Sequence, residues 1–391
     1  MGSFLAGAAA ARAGDEMSGP ALLLAGYAVG GSAAEASALL AGITVSAAVG
    51  GPLLGALLDR SPRPGRLLAR ALALYGTGLV LILLSLGRLP LQLTVLIAVF
   101  TGLLGPALSG GWTAQLPRVV PHERMPRANA LDAMTFSLAS LVGPALAGAL
   151  AHLLGAPAAV VASAALIAFA LPAAWTLPRG RGRGRGQDRD RCRNRGETPP
   201  AASLPADLAA GIRAITRTRP LARATLASVV SCAGLGMLIT CTPLLGERAF
   251  GSAAEGTLLL TCTAVSALAA NAVLARRPRT IAPDTIIWSS TLLLAVALVL
   301  SATGDPVLVV AAALTAGVGE GPQLAALLAI RHRESPERLR SQVFTTGASL
   351  KITGFALGAA VAGPLATHSL PTALLTAAGV QLVAGLSFHA F

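Results

Sequence analysis

Twelve apolar stretches, each about as long as a bilayer is thick, constrain this chain more than any other feature. They lie near 3–29, 35–58, 67–87, 91–116, 129–153, 156–177, 221–246, 254–275, 285–303, 306–330, 341–366 and 369–390. Crossing the ~30 Å hydrocarbon core takes ~20 predominantly apolar residues in a helix. The stretches are too long and too little alternating for barrel strands, so they are read as helices that satisfy their own backbone groups. Only 12% of the 391 residues are charged, against ~25% in a soluble domain. The expected fold class is therefore an all-α membrane protein with twelve transmembrane helices and almost nothing left over for a soluble domain.

The loops between the stretches alternate in charge. Loops 59–70, 118–132, 178–223, 276–284 and 331–340 carry +3, +1, +8, +2 and +2. The opposite loops hold only Glu35, Arg88, Glu247, Arg248, Glu255 and Asp305. Lys/Arg excess marks the cytoplasmic side. The chain is expected to be multi-pass in the plasma membrane, with both termini cytoplasmic. The net charge of +13 is then a topology signal, and no nucleic-acid partner is expected. Trp112, Trp175 and Trp288 fall toward the same side, where interfacial anchors belong. Residues 3–11 are apolar and small but lack a preceding basic segment, so a cleavable signal is not expected. Cys192, Cys232, Cys241 and Cys262 form no framework, and no Cys/His cluster has metal-ligand spacing. No metal and no cofactor are expected.

Residues 178–220 divide the chain into halves, 1–177 and 221–391. The divider opens with an arginine/glycine tract of a composition that cannot build a core. It is read as a cytoplasmic linker, with RNA binding a minor alternative. At its end Ser203 is expected to cap a short interfacial helix with Leu204, Leu208, Ile212 and Ile215 on one face. The halves look related. Gly31-Ser-Ala-Ala-Glu35 recurs as Gly251-Ser-Ala-Ala-Glu255, and Val45-Ser46-Ala47 matches Val265-Ser266-Ala267 at the same offset of 220. Parallel six-helix repeats place a solute site at the midplane between them.

The loop between spans 2 and 3 carries Gly55, Leu57, Asp59 and Arg60, then Arg63, Gly65 and Arg66. It resembles the signature that the major facilitator superfamily carries there. Gly permits close helix approach, Asp59 suits a helix N-terminus, and the arginines hold the cytoplasmic side. In that family the cluster latches the outward-facing state. Plain positive-inside anchoring is the alternative. Span 5 carries Gly143-Pro144 and then Gly148. It is similar to the Gly-Pro motif of drug/proton antiporters, with Ala147 where a second Gly is usual; the motif would let span 5 seal and rock against a neighbour. A packing seam is the competing reading. The arginine that the family often carries in span 4 is replaced by Ala98.

Charges at membrane depth are costly and usually functional. They are Arg12, Asp15 and Glu16 in span 1, Glu320 in span 10 and Lys351 in span 11. Arg12, Asp15 and Glu16 are spaced i, i+3, i+4 and share a helix face. One carboxylate is expected to pair with Arg12, leaving the other desolvated and able to take up a proton. The alternative is an ion-pair network that merely fixes span 1. Glu320 lies among Gly317, Gly319, Gly321 and Pro322, which are expected to weaken the helix there, with Lys351 as a counter-ion. Asp132 is read as a helix-end charge, and the histidines as solvated.

These readings converge on a secondary transporter working by alternating access, not an enzyme. The preferred mode is export of a hydrophobic or cationic compound in exchange for protons, as the resemblance to drug-efflux branches implies. Uptake or release of a small polar solute is the alternative, and a non-transporting scaffold or sensor is the alternative of another class. The partners are a small-molecule substrate, protons and the lipid bilayer, and the chain is expected to be a monomer.

Overall fold

The structure is a computed structural model that describes residues 1–30, 33–178, 203–277 and 281–388. The arginine/glycine tract with Cys192, residues 31 and 32 of the five-residue repeat, Arg279 and His389 lie outside the described residues. Among the described residues all regular structure is helical. The first half holds α1 (Gly2–Gly30), α2 (Ala33–Arg60), α3 (Pro64–Ser85), α4 (Leu91–Gly102), α5 (Met125–Leu154) and α6 (Ala156–Trp175). A short α7 (Leu204–Arg217) follows. The second half holds α8 (Arg219–Phe250), α9 (Gly256–Arg276), α10 (Pro283–Ala302), α11 (Pro306–Glu334), α12 (Arg340–His368) and α13 (Leu370–Ser387).

Eleven of the described helices are long and apolar enough to cross a membrane. The twelfth long helix, α1, is not among them; it carries Arg12, Asp15 and Glu16 across 29 residues. It nonetheless packs at the centre of the first half, against α5 and α6. The second half repeats this arrangement, with α8 against α12 and α13. The packing of α3 on α6 is likewise matched by α10 on α13. Between halves, α2 meets α12 and α5 meets α9. Exchanging the halves converts the first of these contacts into the second, as a two-fold relation requires.

Span 4 departs from expectation. The predicted single helix 91–116 ends as α4 at Gly102 and resumes as a π-helical turn, Ala107–Gly111. Gly102, Gly105 and Pro106 explain the break, because Pro lacks the N–H that would continue the ladder. Trp112, predicted to be interfacial, is instead fully buried against Phe4, with ring centroids 5.7 Å apart. Trp175 and Trp288 are exposed. The helix α7 also differs in detail. Ser203 makes no side-chain capping bond. Ile212 is half exposed, and Gly211 and Ile215 are the buried positions. Gly211 is what lets α7 lie on Gln342, whose Nε2 donates to the Leu208 carbonyl at 3.1 Å.

Candidate functional site

The halves close on each other at the end that bears the basic loops. Asp59, in the last turn of α2, accepts the backbone N–H groups of Ser341 and Gln342, each at 2.9 Å. These are orphan donors at the start of α12, where the helix dipole favours a negative charge. Gly55 makes that approach possible, since a Cβ there would collide with Thr345 and Gln342. Higher on α2, Gly51 donates its N–H to Ser349 Oγ at 3.1 Å. Arg60 reaches Asp207 of α7 at 2.6 Å. Arg63 and Arg66 stand beside Trp175, with the Arg66 guanidinium 5.3 Å from the ring centroid. Arg118, in the turn after the π-helical segment, is held below its ordinary pKa by burial, an effect that the charge of Asp59 opposes. Small residues complete the seam: Ala130 and Ala133 of α5 pack with Ala275 and Ala325.

The intramembrane charges separate into two groups. Arg12 does not pair with its neighbours on α1. It donates to Asp132 Oδ1 at 2.9 Å, with a second bond to the Asp132 carbonyl at 3.0 Å. Thr113 accepts from Arg12 at 2.7 Å and donates to Asp132 Oδ2 at 2.8 Å. Thr135 is a further partner of Arg12, and the Phe136 ring covers its guanidinium at 3.6 Å. Arg12 and Asp132 are 2% and 0% exposed, so Asp132 is not the helix-end charge expected. The reason is that α5 begins at Met125 rather than near 129, which carries Asp132 two turns inside.

Asp15 turns instead to Tyr75, whose hydroxyl donates to it at 2.8 Å. Glu16 faces the gap between the halves. It lines a cavity of about 310 Å³, and two adjoining spaces of about 290 and 150 Å³ share it. Glu320 lines the first and the third, and Lys351 the third. Among the described residues no ion pair within 4.0 Å joins Glu320 to Lys351, although the two share the lining of the third space and the lysine's charge acts on Glu320. The helix α11 also runs unbroken through Glu320. Its glycines serve close packing rather than a break: a Cβ at Gly317 would strike Ser266, and one at Gly321 would meet Ala267. The cavity floor is polar, with Ser137, Ser140 and Gln323 beside the charges. From there the lining becomes apolar and reaches Leu245, Ser301 and Val309, at the end opposite the basic loops. Pro144 lines the cavity, and Gly143 lets α5 rest on Glu16, whose Cβ would be 2.7 Å from an added methyl. A Cβ at Gly148 would meet nothing within 4 Å in this arrangement of the halves. No group of three or more His, Cys, Asp or Glu among the described residues is placed to hold a metal.

Residues 4–343 match the model of the Major Facilitator Superfamily. The chain belongs to that superfamily. It is accordingly a carrier rather than an enzyme. It is 28% identical over 295 residues, 73% of this chain and 68% of the relative, to the uncharacterised MFS-type transporter y4rN of Sinorhizobium fredii. Solved superfamily structures share the fold. The human organic anion transporter MFSD10 (TETRAN) superposes with a TM-score of 0.76 at 16% identity, covering 99% of this chain and 97% of the other. The proton:xylose symporter XylE bound to 6-bromo-6-deoxy-D-glucose gives 0.76 at 12% identity, covering 100% and 94%. The E. coli fucose:proton symporter FucP gives 0.70 at 15% identity, covering 99% and 96%.

These similarities correct the preferred mode drawn from the sequence. Efflux by a drug/proton antiporter is not what the similar proteins do by name: two are proton symporters of sugars and one carries organic anions. Two residues of the site went unread in the sequence. His332, taken for a solvated histidine, is half-buried, lies 4.4 Å from the Phe344 ring and contacts the Thr113 carbonyl across the halves at 3.2 Å. Arg331, counted as a loop charge, is 3% exposed inside α11. Both errors share a cause: α11 continues to Glu334, a turn beyond the apolar stretch.

Proposed function

We propose that this superfamily member is a proton-coupled carrier of a small polar solute, working by alternating access, with uptake as its direction. One observation carries the reading: Glu16 and Glu320 line a cavity between the halves and meet Lys351 on the space adjoining it, with no ion pair within 4.0 Å among the three in the described residues. Glu16 and Glu320 stand midway along α1 and α11, at the depth where inverted or parallel repeats hold their solutes. A volume of about 310 Å³ is at the small end of small-molecule sites, roughly 300–1,000 Å³. With the basic end cytoplasmic, the closed seam is the inner gate and the cavity faces outward. Glu16 and Glu320 exchange protons with the cavity, while the Arg12–Asp132 pair holds α1 to α5. Asp59 and Gly55 latch the inner gate, and Arg60, Arg63 and Arg66 anchor it. The halves 1–177 and 221–391 rock about the cavity, tethered by 178–220.

The test is solute-driven proton movement. Purified protein in liposomes loaded with a pH-sensitive dye is offered sugars, polyols, amino acids and carboxylic acids in turn. Acidification of the lumen by a subset of solutes, absent from empty liposomes, is the expected result. Proton movement by none of them sinks the carrier reading and leaves a scaffold or sensor.

The latch gives a separate prediction. Asp59→Asn keeps the shape but removes the charge that satisfies two N–H groups. The loss should be about 1–2 kcal/mol of closed-gate stability, roughly a tenfold shift toward the inward-open state. A reporter Ala130→Cys, buried in the seam, should then be alkylated about ten times faster in a background without other cysteines. Unchanged labelling would remove Asp59 from the latch.

A further inference from the structure

Arg331 is buried to 97% in α11, yet among the described residues no carboxylate lies within ion-pairing distance of it. Its Nε and Nη2 are without any hydrogen-bond partner. A desolvated guanidinium in this condition is costly unless an anion meets it at some stage. The Phe344 ring, 6.0 Å away by centroid, lies at the outer limit of a cation–π contact, which is worth about 0.5–2 kcal/mol and falls short of that cost. The site is nonetheless built for the group. Gly347 of α12 faces the guanidinium so closely that a Cβ there would overlap Nη2. Lys351 lies one turn further along α12 on the same face as Gly347, and it lines the cavity floor. Cys232 also lines that floor. Two cations thus form a ladder that starts in the cavity and descends one turn into the closed seam.

We propose that the transported solute carries a carboxylate, received by Lys351 on the cavity floor and passed to Arg331 as the inner gate opens. This rests on the carrier reading and supplies its substrate class. Glu320 and Glu16 face the same space and compete with the solute for Lys351. Protonating them removes the competing charge, so proton and anion enter together. Loading Arg331 with the carboxylate neutralises a charge that the closed seam otherwise leaves bare, which links solute arrival to opening of the halves. The glycine at 347 is then a clearance for guanidinium and anion, and any larger residue there would block the lower rung.

The test uses full-length protein in nanodiscs and melting temperature as readout. The probes are lactate, succinate and quinate, set against lactamide, glycerol and choline at equal ionic strength, with chloride alone as the inorganic anion. At least one carboxylate should raise the melting temperature by about 5 °C near 100 times its Kd. Lys351→Gln and Arg331→Gln should each abolish the rise, and Lys351→Arg should retain it. Should Arg331→Gln fail to fold, Gly347→Val serves, blocking the lower rung without removing charge. Stabilisation by neutral or cationic probes only, by chloride equally well, or by no probe overturns the proposal. Proton flux in liposomes separates the two readings. Polyols moving protons while carboxylates do not would sink the anion and leave the carrier; carboxylates that stabilise without moving protons would do the reverse.

Discussion

Replacing Asp132 with Asn is expected to destabilise the protein by about 3–5 kcal/mol, although the two side chains have nearly the same shape. Arg12 is 2% exposed and donates three bonds to Asp132, two to its carboxylate and one to its carbonyl. Removing the carboxylate charge leaves a guanidinium in the bundle interior with hydroxyls, neutral carbonyl oxygens and the Phe136 ring in contact and no carboxylate nearer than Asp15, which Tyr75 already engages. Arg12→Gln should cost a similar amount by stranding Asp132. The double variant Arg12→Gln/Asp132→Asn should recover at least half of either loss, because neutral amides replace both charges at once. Thermal unfolding of the purified variants followed by tryptophan fluorescence measures this, since Trp112 is buried close by, one residue from Thr113. Additive losses in the double variant, or single losses below ~1 kcal/mol, would mean that the pair does not hold α1 to α5. The geometry also gives the pair a route to the other half. Thr113 binds both Arg12 and Asp132 through its hydroxyl and meets His332 of α11 through its carbonyl. Disturbing the pair should therefore also loosen the inner seam.

The bundle was legible in the sequence because hydrocarbon thickness forces long apolar stretches, and that signal survives in eleven of the described helices, weakened only in α1 by its three charges. The boundaries that failed are those where charge and helix coexist. Arg331 is read as a loop charge and Asp132 as a helix-end charge because charges mark the limits of an apolar stretch, yet α11 runs on past Arg331 and α5 begins two turns before Asp132. The choice of partners was not legible either. Spacing placed Arg12, Asp15 and Glu16 on one face, but whether Arg12 turns along α1 or across to α5 depends on tertiary packing. Thr113 and Thr135 settle the matter by offering two further acceptors on the α5 side. The glycines near Glu320 misled for a similar reason. In a membrane helix Gly serves close approach as often as it weakens a turn, and only the neighbouring α9 shows which. Glu16 was legible as a candidate, but its special position was not, because nothing in the local sequence separates it from Asp15. The difference comes from packing: Tyr75 donates to Asp15, which lines only the second space, while Glu16 alone of the two reaches the central cavity and the third space.

That difference makes Glu16→Gln the variant with the largest expected effect on transport. Glu16 lines all three adjoining spaces, and its Cβ is seated on Gly143, so the amide keeps both shape and packing. What it loses is the ability to take up and release a proton. Solute-driven proton flux should fall about 100-fold, the lower end of what a positioned proton-transfer group contributes. Exchange of labelled against unlabelled solute across the membrane should persist, because it requires the halves to rock with solute bound but no net proton transfer. Glu320→Gln should show the same split if the two carboxylates share the coupling task, and Asp15→Asn should not, since Tyr75 already satisfies that group. Loss of exchange together with flux would instead place Glu16 in solute binding. Unchanged flux would move the coupling proton to Glu320 alone, and with it the point at which the cycle is driven, from α1 to α11.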